Sequence, residues 1–526
     1  MYNSADMKFS RPSLNGIIVV LLLTLPLAGC SWKGWVWNWR KGGNELDVWV
    51  ASEMVQLTDS SKKFHNARLF SKTEKTVTLL GVMNETACFQ IVVEAGDEDI
   101  NNLEISWDDL KNGENVIPRE NISVFRMLGV EVSLGRAWHY RLSANPGGRE
   151  VIYDPLVPID DKSAGQPYDA DGSSRLVFWV DLSIDRDIKP GRYEGKITIS
   201  SSNRPGTDMN LQLDVLDFSL PDTPAILAVG GFDHAQLFST FFTNQAGVKA
   251  PTRLDRKDPT VIDTLVRMRK LMILARAHRL DLFDTQLKPL LKRTPKGEVK
   301  LNWSDYDAII TPYLDGSAFP DQRGVHFWPV PFSQSWPDPK YYGGLAGESY
   351  MSTAAEVLKG CDEHFRSLGY LQPAVLWPWR GDLSDDAYKT HMLLADIADK
   401  SGVKLPVLCQ LPPSPDELTG LSLPAGFSST VDLIAPAGQW FDPKLSDSMN
   451  HDPKALLGNW LSPGKRPYAP SMSIDAGAAD MRALAWFGIS RKCSGLLIED
   501  VLNWSGDMIE SGPSADTGLF YPGALA

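Results

Sequence analysis

Two patterns of hydrophobic and polar positions divide the chain. From Leu46 to about Asp222, short runs are either apolar, as at 176–181, or alternate strictly, as in Leu211-Gln-Leu-Asp-Val215. Turn residues such as Asn112-Gly113 separate several of these runs. Short strands bounded by turns are typical of two packed sheets, so residues 46–222 are predicted to form a β-sandwich domain.

A proline-containing linker at 218–224 ends this pattern, and residues 223–526 differ in character. Amphipathic helices are predicted here, one of them with Leu265, Met268 and Met272 on one face. Short apolar runs alternate with the helices, and the predicted strands are Ala225–Val229, Ala374–Trp377, Val407–Leu411, Leu433–Ala435, Ala469–Met472 and Gly495–Ile498. Strands that alternate with helices indicate a parallel sheet and, over this length, a (β/α)8 TIM-like barrel.

The first thirty residues have the features of a bacterial export signal. Lys8 and Arg11 precede an apolar stretch, 16–27, that is too short for a comfortable membrane span. The stretch ends in Leu27-Ala-Gly-Cys30, which resembles a lipoprotein cleavage site. It predicts a signal peptide over residues 1–29 and acyl chains, palmitate among them, on Cys30. An ordinary signal peptide with a cysteine there by chance is the alternative.

Residues 30–45 are predicted to form a lipidated tether. Three basic residues and four tryptophans suit a membrane interface, although a first strand packed on the next domain is the alternative. Ser31, rather than an aspartate, follows the cysteine, which favours the outer membrane of a double-membrane bacterium. The protein is therefore expected in the bacterial cell envelope, bound to a membrane through its lipid.

Composition and motifs exclude several classes of function. The formal net charge of −13 argues against nucleic acid as a partner, because such binding depends on basic surface. The eight histidines are scattered, and no phosphate-binding glycine loop follows a strand, so neither a metal nor another cofactor is predicted. Cys88, Cys361, Cys409 and Cys493 are far apart, and their spacing is compatible with disulfides or with buried thiols.

Candidate catalytic residues follow two of the predicted strands. Asp382 lies in the loop between the run 374–377 and Ser384, a suitable N-cap for the next helix. Glu499 and Asp500 follow the last predicted strand. Chemistry in such barrels lies on loops at the carboxyl ends of strands, so these three carboxylates are predicted to supply acid and base across the barrel mouth. For the last two, a solvated turn or a helix cap is the alternative.

Aromatic residues are frequent in predicted loops, above all in 326–342. Flat rings beside polar groups suit the apolar face and the hydroxyls of a sugar, so carbohydrate is the predicted partner. A proline-rich lid packed on itself is the alternative for this loop. Asp475 and Arg482 are further candidates, unless the two pair with each other. The candidate sugar-binding residues are Trp328, Trp336, Trp379, Trp440, Asp475, Arg482 and Trp504.

Several motifs, in order along the chain, resemble those of one known family. They are Tyr153–Pro158, Pro190–Ile199 with Leu216–Pro221, Val375–Trp379, Val431–Pro436, Ile474–Arg482 and Gly495–Trp504. Together they resemble glycoside hydrolase family 123 and the related domain of unknown function 4091. The resemblance implies a β-sandwich followed by a (β/α)8 barrel, and hydrolysis of terminal β-linked N-acetylgalactosamine.

The chemistry that the resemblance implies is assisted by the substrate. The 2-acetamido oxygen attacks the anomeric carbon, an aspartate orients the acetamido group, and the adjacent glutamate protonates the leaving oxygen. Here Gly381 stands in place of that aspartate and Asp382 in place of the glutamate. The family also continues beyond the position of Ala526, so the barrel is expected to be incomplete at its C-terminus.

Two hypotheses follow. The first is a membrane-anchored, β-N-acetylhexosaminidase-like glycosidase that acts on an amino-sugar-containing polysaccharide or glycan. The second is a catalytically inactive relative that binds or guides an exported polysaccharide, which the missing aspartate favours.

Overall fold

The computed structural model describes residues 45–63, 66–139, 148–242, 255–294, 298–381, 383–412, 425–443, 458–504 and 518–522. All of them belong to one compact unit, Glu45–Ala526. The predicted signal peptide, the lipidation site Cys30 and the predicted acid Asp382 lie outside the described residues.

The N-terminal half of the described chain is rich in strands. They are β1 (Asp47–Ser52), β2 (Phe70–Ser71), β3 (Thr76–Met83), β4 (Glu85–Glu94), β5 (Ile100–Trp107), β6 (Leu110–Asn112), β7 (Asn115–Ile117), β8 (Ile122–Ser133), β9 (Arg149–Pro158), β10 (Tyr168–Ala170), β11 (Arg175–Ile184), β12 (Gly191–Ser200) and β13 (Thr207–Ser219). One sheet has the order β1-β4-β11-β8-β9, and the other has β10-β5-β12-β13-β3-β2 with β6 and β7 attached through β12.

The two sheets share one hydrophobic core, as the strand patterns predict. Alternate residues of β13 are buried, among them Leu211 and Leu213, because successive side chains of a strand point to opposite faces. The central strand β11 is covered on both faces and therefore carries a continuous apolar run. Phe89 and Phe178 of the first sheet and Tyr193 of the second lie in the shared core, each without measurable exposure.

The C-terminal half alternates strands with helices. Its strands are β14 (Leu227–Phe232), β15 (Leu280–Asp284), β16 (Leu290–Arg293), β17 (Val299–Asn302), β18 (Trp328–Pro329), β19 (Ala374–Val375), β20 (Leu408–Cys409), β21 (Leu433–Ile434), β22 (Gly458–Leu461) and β23 (Gly495–Ile498). Its helices are α1 (His234–Phe242), α2 (Pro259–Ala277), α3 (Ser304–Leu314), α4 (Glu348–Leu368), α5 (Asp385–Lys400) and α6 (Ala478–Ser490).

A parallel sheet of half-barrel form organises this region. It has the order β15-β14-β23-β22-β21-β20, and a parallel bridge from Leu376 to Val407 extends it to β19 and β18. No backbone ladder joins β18 to β15 within the described residues, so a complete barrel is not confirmed. A side chain connects this part of the sheet instead: the Asp281 carboxylate of β15 accepts a 2.9 Å hydrogen bond from the backbone nitrogen of His326, which precedes β18.

The sequence patterns located most of these strands but not all. The predicted strand Ala469–Met472 is wrong: this segment has no strand structure, and the strand of this region is β22, which contains a glycine and an asparagine. The patterns also missed β15 and β18. The strand β15 has two aspartates in five residues, which obscures its apolar character.

The helices agree with the predicted faces and caps. Met268 and Met272 of α2 are buried, as expected from their spacing. The Ser384 side chain caps α5 by accepting a hydrogen bond from the Ala387 nitrogen at 3.1 Å. None of the described helices has both the length and the apolar character needed to cross a bilayer. The four described cysteines are free thiols, and all except Cys88 are buried.

Candidate active site at the carboxyl ends of the parallel strands

Charged side chains gather where three neighbouring parallel strands end. Asp233 and His234 follow β14 directly, Asp284 is the last residue of β15, and Glu499 and Asp500 follow β23. The strand β14 is hydrogen-bonded in parallel to β15 on one side and to β23 on the other. These five side chains therefore share one edge of the sheet, which is where active sites of α/β barrels lie.

A buried carboxylate fixes the position of the histidine. One oxygen of Asp284 accepts hydrogen bonds from His234 Nδ1 at 2.9 Å and from the His234 backbone nitrogen at 2.8 Å. The other accepts from the backbone nitrogens of Gln286 and Leu287 at 2.7 and 2.8 Å. Burial acts to lower the pKa of the His234 imidazole, but the Asp284 carboxylate outweighs it and holds that pKa above its ordinary value. The imidazole therefore has a fixed orientation and keeps its proton to higher pH than an ordinary histidine.

Asp233 is a half-buried carboxyl group beside this pair. One of its oxygens accepts a hydrogen bond from the Ala235 nitrogen at 2.8 Å. Burial raises the pKa of Asp233, and the negative charges of Asp284 and Asp500 add to the increase. Asp233 therefore keeps its proton at higher pH than an ordinary aspartate does, as a general acid requires.

A partly buried cation, Arg380, interacts with the charges of this cluster. The Arg380 guanidinium lies 4.5 Å from the centre of the Trp377 ring, and its Nη1 donates to the Thr285 carbonyl oxygen at 2.8 Å. Burial lowers the pKa of Arg380 to about 10, against the opposing effect of the Glu499 and Asp284 charges. The group remains cationic at neutral pH and faces the carboxylates of two strands.

A cleft of about 540 Å³ opens beside these groups, which is within the usual size range of small-molecule sites. Its lining includes Asp233, His234, Lys288, Asn302, Tyr306 and Trp336. Burial lowers the pKa of Lys288, and the nearby Arg380 charge acts in the same direction. The cleft thus combines a carboxyl group of raised pKa, a histidine, an amine and an aromatic ring. Within the described part of the chain, no three His, Cys, Asp or Glu side chains are arranged to hold a metal ion.

Comparison with known proteins identifies the N-terminal region. Residues 58–201 match the family model described as the glycoside hydrolase 123 N-terminal domain. The predicted resemblance to family 123 is thereby confirmed.

Solved structures extend the likeness to most of the chain. A family 123 glycoside hydrolase from Clostridium perfringens, described for glycolipid glycan hydrolysis, has 13% identity and a TM-score of 0.67 over 91% of this chain and 83% of its own. This likeness shows that the family 123 fold continues past the N-terminal domain. A family 39 glycoside hydrolase from the gut symbiont Bacteroides cellulosilyticus WH2 has 11% identity over 85% of this chain and 78% of its own, with a TM-score of 0.34. No curated protein matches the sequence.

The structure describes two of the three predicted catalytic carboxylates. Asp382 lies outside the described residues. Glu499 is exposed, and its charge acts on Arg380. Asp500 accepts hydrogen bonds from the backbone nitrogens of Leu502 and Asn503, each at 3.0 Å, and from the Gln236 amide at 3.1 Å. Asp500 therefore stabilises a turn, which was the alternative, although it still contributes charge to Asp233.

The predicted sugar-binding tryptophans differ in their burial and in their contacts. Trp336 lines the cleft and is partly buried. Trp328 does not present its ring to a ligand, because it is 1% exposed and its Nε1 donates to the Tyr306 hydroxyl at 3.1 Å in the core. Trp379 is half-buried against the cluster at the start of α5. Trp504 is half-buried, and its Nε1 donates to the Phe520 carbonyl at 2.6 Å.

Asp475 and Arg482, predicted to bind sugar or else to pair with each other, have separate partners in the structure. The Asp475 carboxylate accepts hydrogen bonds from the backbone nitrogens of Gly135 and Ala137, at 2.6 and 3.0 Å. Arg482 instead forms an ion pair with Glu53 at 3.1 Å. Each residue therefore contacts the N-terminal domain. Because these partners are distant in sequence, the spacing between Asp475 and Arg482 gives no indication of them.

Sequence reasoning missed Asp233, His234, Asp284 and Lys288. The sequence does contain one indication of this site, the Asp-His pair that follows the first apolar run of the C-terminal half. A carboxylate directly after a parallel strand lies at the carboxyl-end edge of the sheet, where the active site of such a fold is expected. That run was predicted to end at Val229, three residues early, so the pair was not connected to a strand end.

Proposed function

We propose that this protein is a glycosidase that binds an amino-sugar-containing glycan in the cleft beside β14 and β15 and hydrolyses it there. The convergence of Asp233, His234 and Asp284 at the edge of a ring-lined cleft carries the proposal. The fold shared with a family 123 enzyme that acts on glycolipid glycans supports it.

Asp233 is the proton donor in this proposal. Its raised pKa lets the carboxyl group keep its proton to higher pH than an ordinary aspartate, and it lines the cleft together with Trp336. His234, fixed by Asp284, supplies a donor to the sugar in a defined orientation. Asp382, which occupies the family's acid position, is the second candidate for the same role. Glu499 and Asp500 contribute negative charge to the mouth.

A catalytically inactive glycan-binding protein is the second candidate function. Gly381 replaces the carboxylate that would orient the acetamido group, and Asp500 is engaged with backbone nitrogens. A protein of this kind binds sugar in the same cleft but leaves the glycosidic bond intact.

Release of p-nitrophenol from β-N-acetylgalactosaminide and β-N-acetylglucosaminide separates the two candidates. A soluble form of residues 31–526 is expected to turn over one of these substrates. Trp336→Ala is expected to weaken binding about tenfold, because the substrate loses the stacking ring. Sugar binding without turnover in the parent protein would favour the binding function. Neither binding nor turnover would contradict both.

We propose further that acyl chains on Cys30 anchor the protein in the cell envelope. The apolar stretch and the Leu27-Ala-Gly-Cys30 sequence support this. Cells that express the full chain are expected to incorporate labelled palmitate into it, and Cys30→Ala is expected to abolish the label and release the protein from the membrane fraction. Full labelling of Cys30→Ala would contradict the proposal.

A further inference from the structure

A loop of the N-terminal domain reaches the mouth of the parallel strands. The residues that follow β8 leave their sheet and meet the segment after β22. The Asp475 carboxylate, which also accepts a hydrogen bond from the Ser473 hydroxyl at 2.6 Å, binds the backbone nitrogens of Gly135 and Ala137. Residues of the two domains thus form one continuous rim.

Backbone hydrogen bonds fix the register of this contact. The Arg466 nitrogen donates to the Ala137 carbonyl at 2.8 Å, and the His139 nitrogen donates to the Arg466 carbonyl at 2.7 Å. The Arg466 side chain is held in turn by Asp480 of α6, with Nε donating to Oδ2 at 2.8 Å. His139 therefore has a defined position beside the loops that follow β21 and β22.

Three aromatic rings meet at this rim. The His139 ring centre lies 5.5 Å from that of Trp440, with the planes at 90°, and 5.9 Å from that of Tyr468, with the planes at 76°. Trp440 follows β21 and Tyr468 follows β22, so both belong to carboxyl-end loops. Tyr468 is 48% exposed. We call His139, Trp440 and Tyr468 the rim platform.

Attachment of the loop does not by itself account for the rim platform. The Asp475 carboxylate and the two backbone hydrogen bonds already join the domains. Tyr468 is the exposed ring of the three, while His139 and Trp440 are partly buried beside it, so the rim platform presents aromatic surface to solvent mainly through Tyr468. Because Asp480 balances the charge of Arg466, this surface suits a neutral sugar better than an ion.

We propose that the rim platform is a second glycan-binding subsite, and that the mouth therefore binds an extended amino-sugar chain rather than a single terminal sugar. This inference rests on the proposed function. The cleft with Trp336 adjoins β14, β15 and β18, whereas the rim platform follows β21 and β22. Three strand spacings separate β15 from β22, about 14 Å along the sheet. One sugar ring in the cleft does not reach the rim platform, but a chain of several sugars does.

Affinity as a function of chain length tests the proposal. The probes are β-1,4- and β-1,6-linked N-acetylglucosamine oligomers, from the disaccharide to the hexasaccharide, titrated into residues 31–526. Affinity is expected to rise with length. Tyr468→Ala and His139→Ala are each expected to lower affinity for the hexasaccharide about tenfold, with a smaller loss for the disaccharide. Trp336→Ala is expected to weaken every length alike.

Trp486→Ala is the matched control, because it removes an exposed ring on α6 that is not part of the rim platform. It is expected to leave all affinities unchanged. An equal loss at every length, or no loss, in both rim variants would overturn the second subsite while leaving the proposed function intact. Absence of binding and turnover with every sugar would overturn both proposals.

Discussion

Asp233→Asn is expected to lower kcat for the β-N-acetylhexosaminide substrates by about 10²- to 10⁴-fold, with little change in KM. Asparagine keeps the shape of the side chain and the contact with the Ala235 nitrogen, but its amide is not acidic and cannot transfer a proton to the leaving oxygen. The pH profile gives a second test. An acid catalyst must be protonated, so activity falls as pH rises through its pKa. Because burial raises the pKa of Asp233, this fall is expected at higher pH than for an ordinary aspartate, and it is expected to disappear in the variant.

Two further substitutions make this result specific. Asp386→Asn changes a carboxylate on α5 whose side chain is 89% exposed, and it is expected to leave kcat unchanged. Asp382→Asn tests the family's acid position. Loss of turnover in Asp382→Asn together with full turnover in Asp233→Asn would transfer the role of acid to Asp382. Thermal unfolding of each variant distinguishes lost chemistry from lost structure.

Hydrophobic periodicity predicted those elements whose burial is decided by their own residues. The alternation in 211–215 and the apolar run 495–498 both correspond to observed strands, because one face or both faces of each are covered by apolar neighbours. The strand β15 was missed for the opposite reason. Its buried aspartates are compatible with a core because Arg276 and His326 pair with Asp281, and because His234 and two backbone nitrogens bind Asp284. His234 is 50 positions from its partner Asp284.

The candidate site was harder to predict than the fold. Missing β15 concealed Asp284, and without it His234 had no visible partner. Aromatic content also did not show which rings face solvent: Trp328 is in the core, whereas Trp336 lines the cleft. Contacts across the chain, such as that between Asp475 and the Gly135 nitrogen, depend on tertiary packing and leave no local pattern.

A buried histidine outside the site is expected to make the fold sensitive to acid. His391 of α5 has no measurable exposure, and neither ring nitrogen has a hydrogen-bond partner of acceptable geometry among the described residues. Its ring lies 5.5 Å from that of Phe427. Burial lowers the pKa of His391 from 6.5 to about 4, and the backbone at Thr430 offsets this only in part.

The sign of the effect follows from which state takes up the proton first. Above pH 6.5 the ring is neutral in both states, so His391 contributes no pH dependence. As pH falls below 6.5, the unfolded chain binds the proton while the folded chain does not, and the free energy of unfolding decreases. The loss is complete once pH falls below the folded pKa of about 4, and the gap between the two values corresponds to about 3 kcal/mol.

His391→Leu is expected to remove this component. Leucine fills the apolar site without a titrating group, so the free energy of unfolding at neutral pH is expected to be at least that of the parent protein. Between pH 6.5 and about 4 the variant is expected to lose about 3 kcal/mol less than the parent protein, as measured by urea unfolding. The carboxylates titrate alike in both proteins and cancel in the difference. His278→Gln, at an exposed imidazole, is the control and is expected to follow the parent curve. Parallel acid curves for His391→Leu and the parent protein would show that the buried imidazole is not the origin of the acid sensitivity.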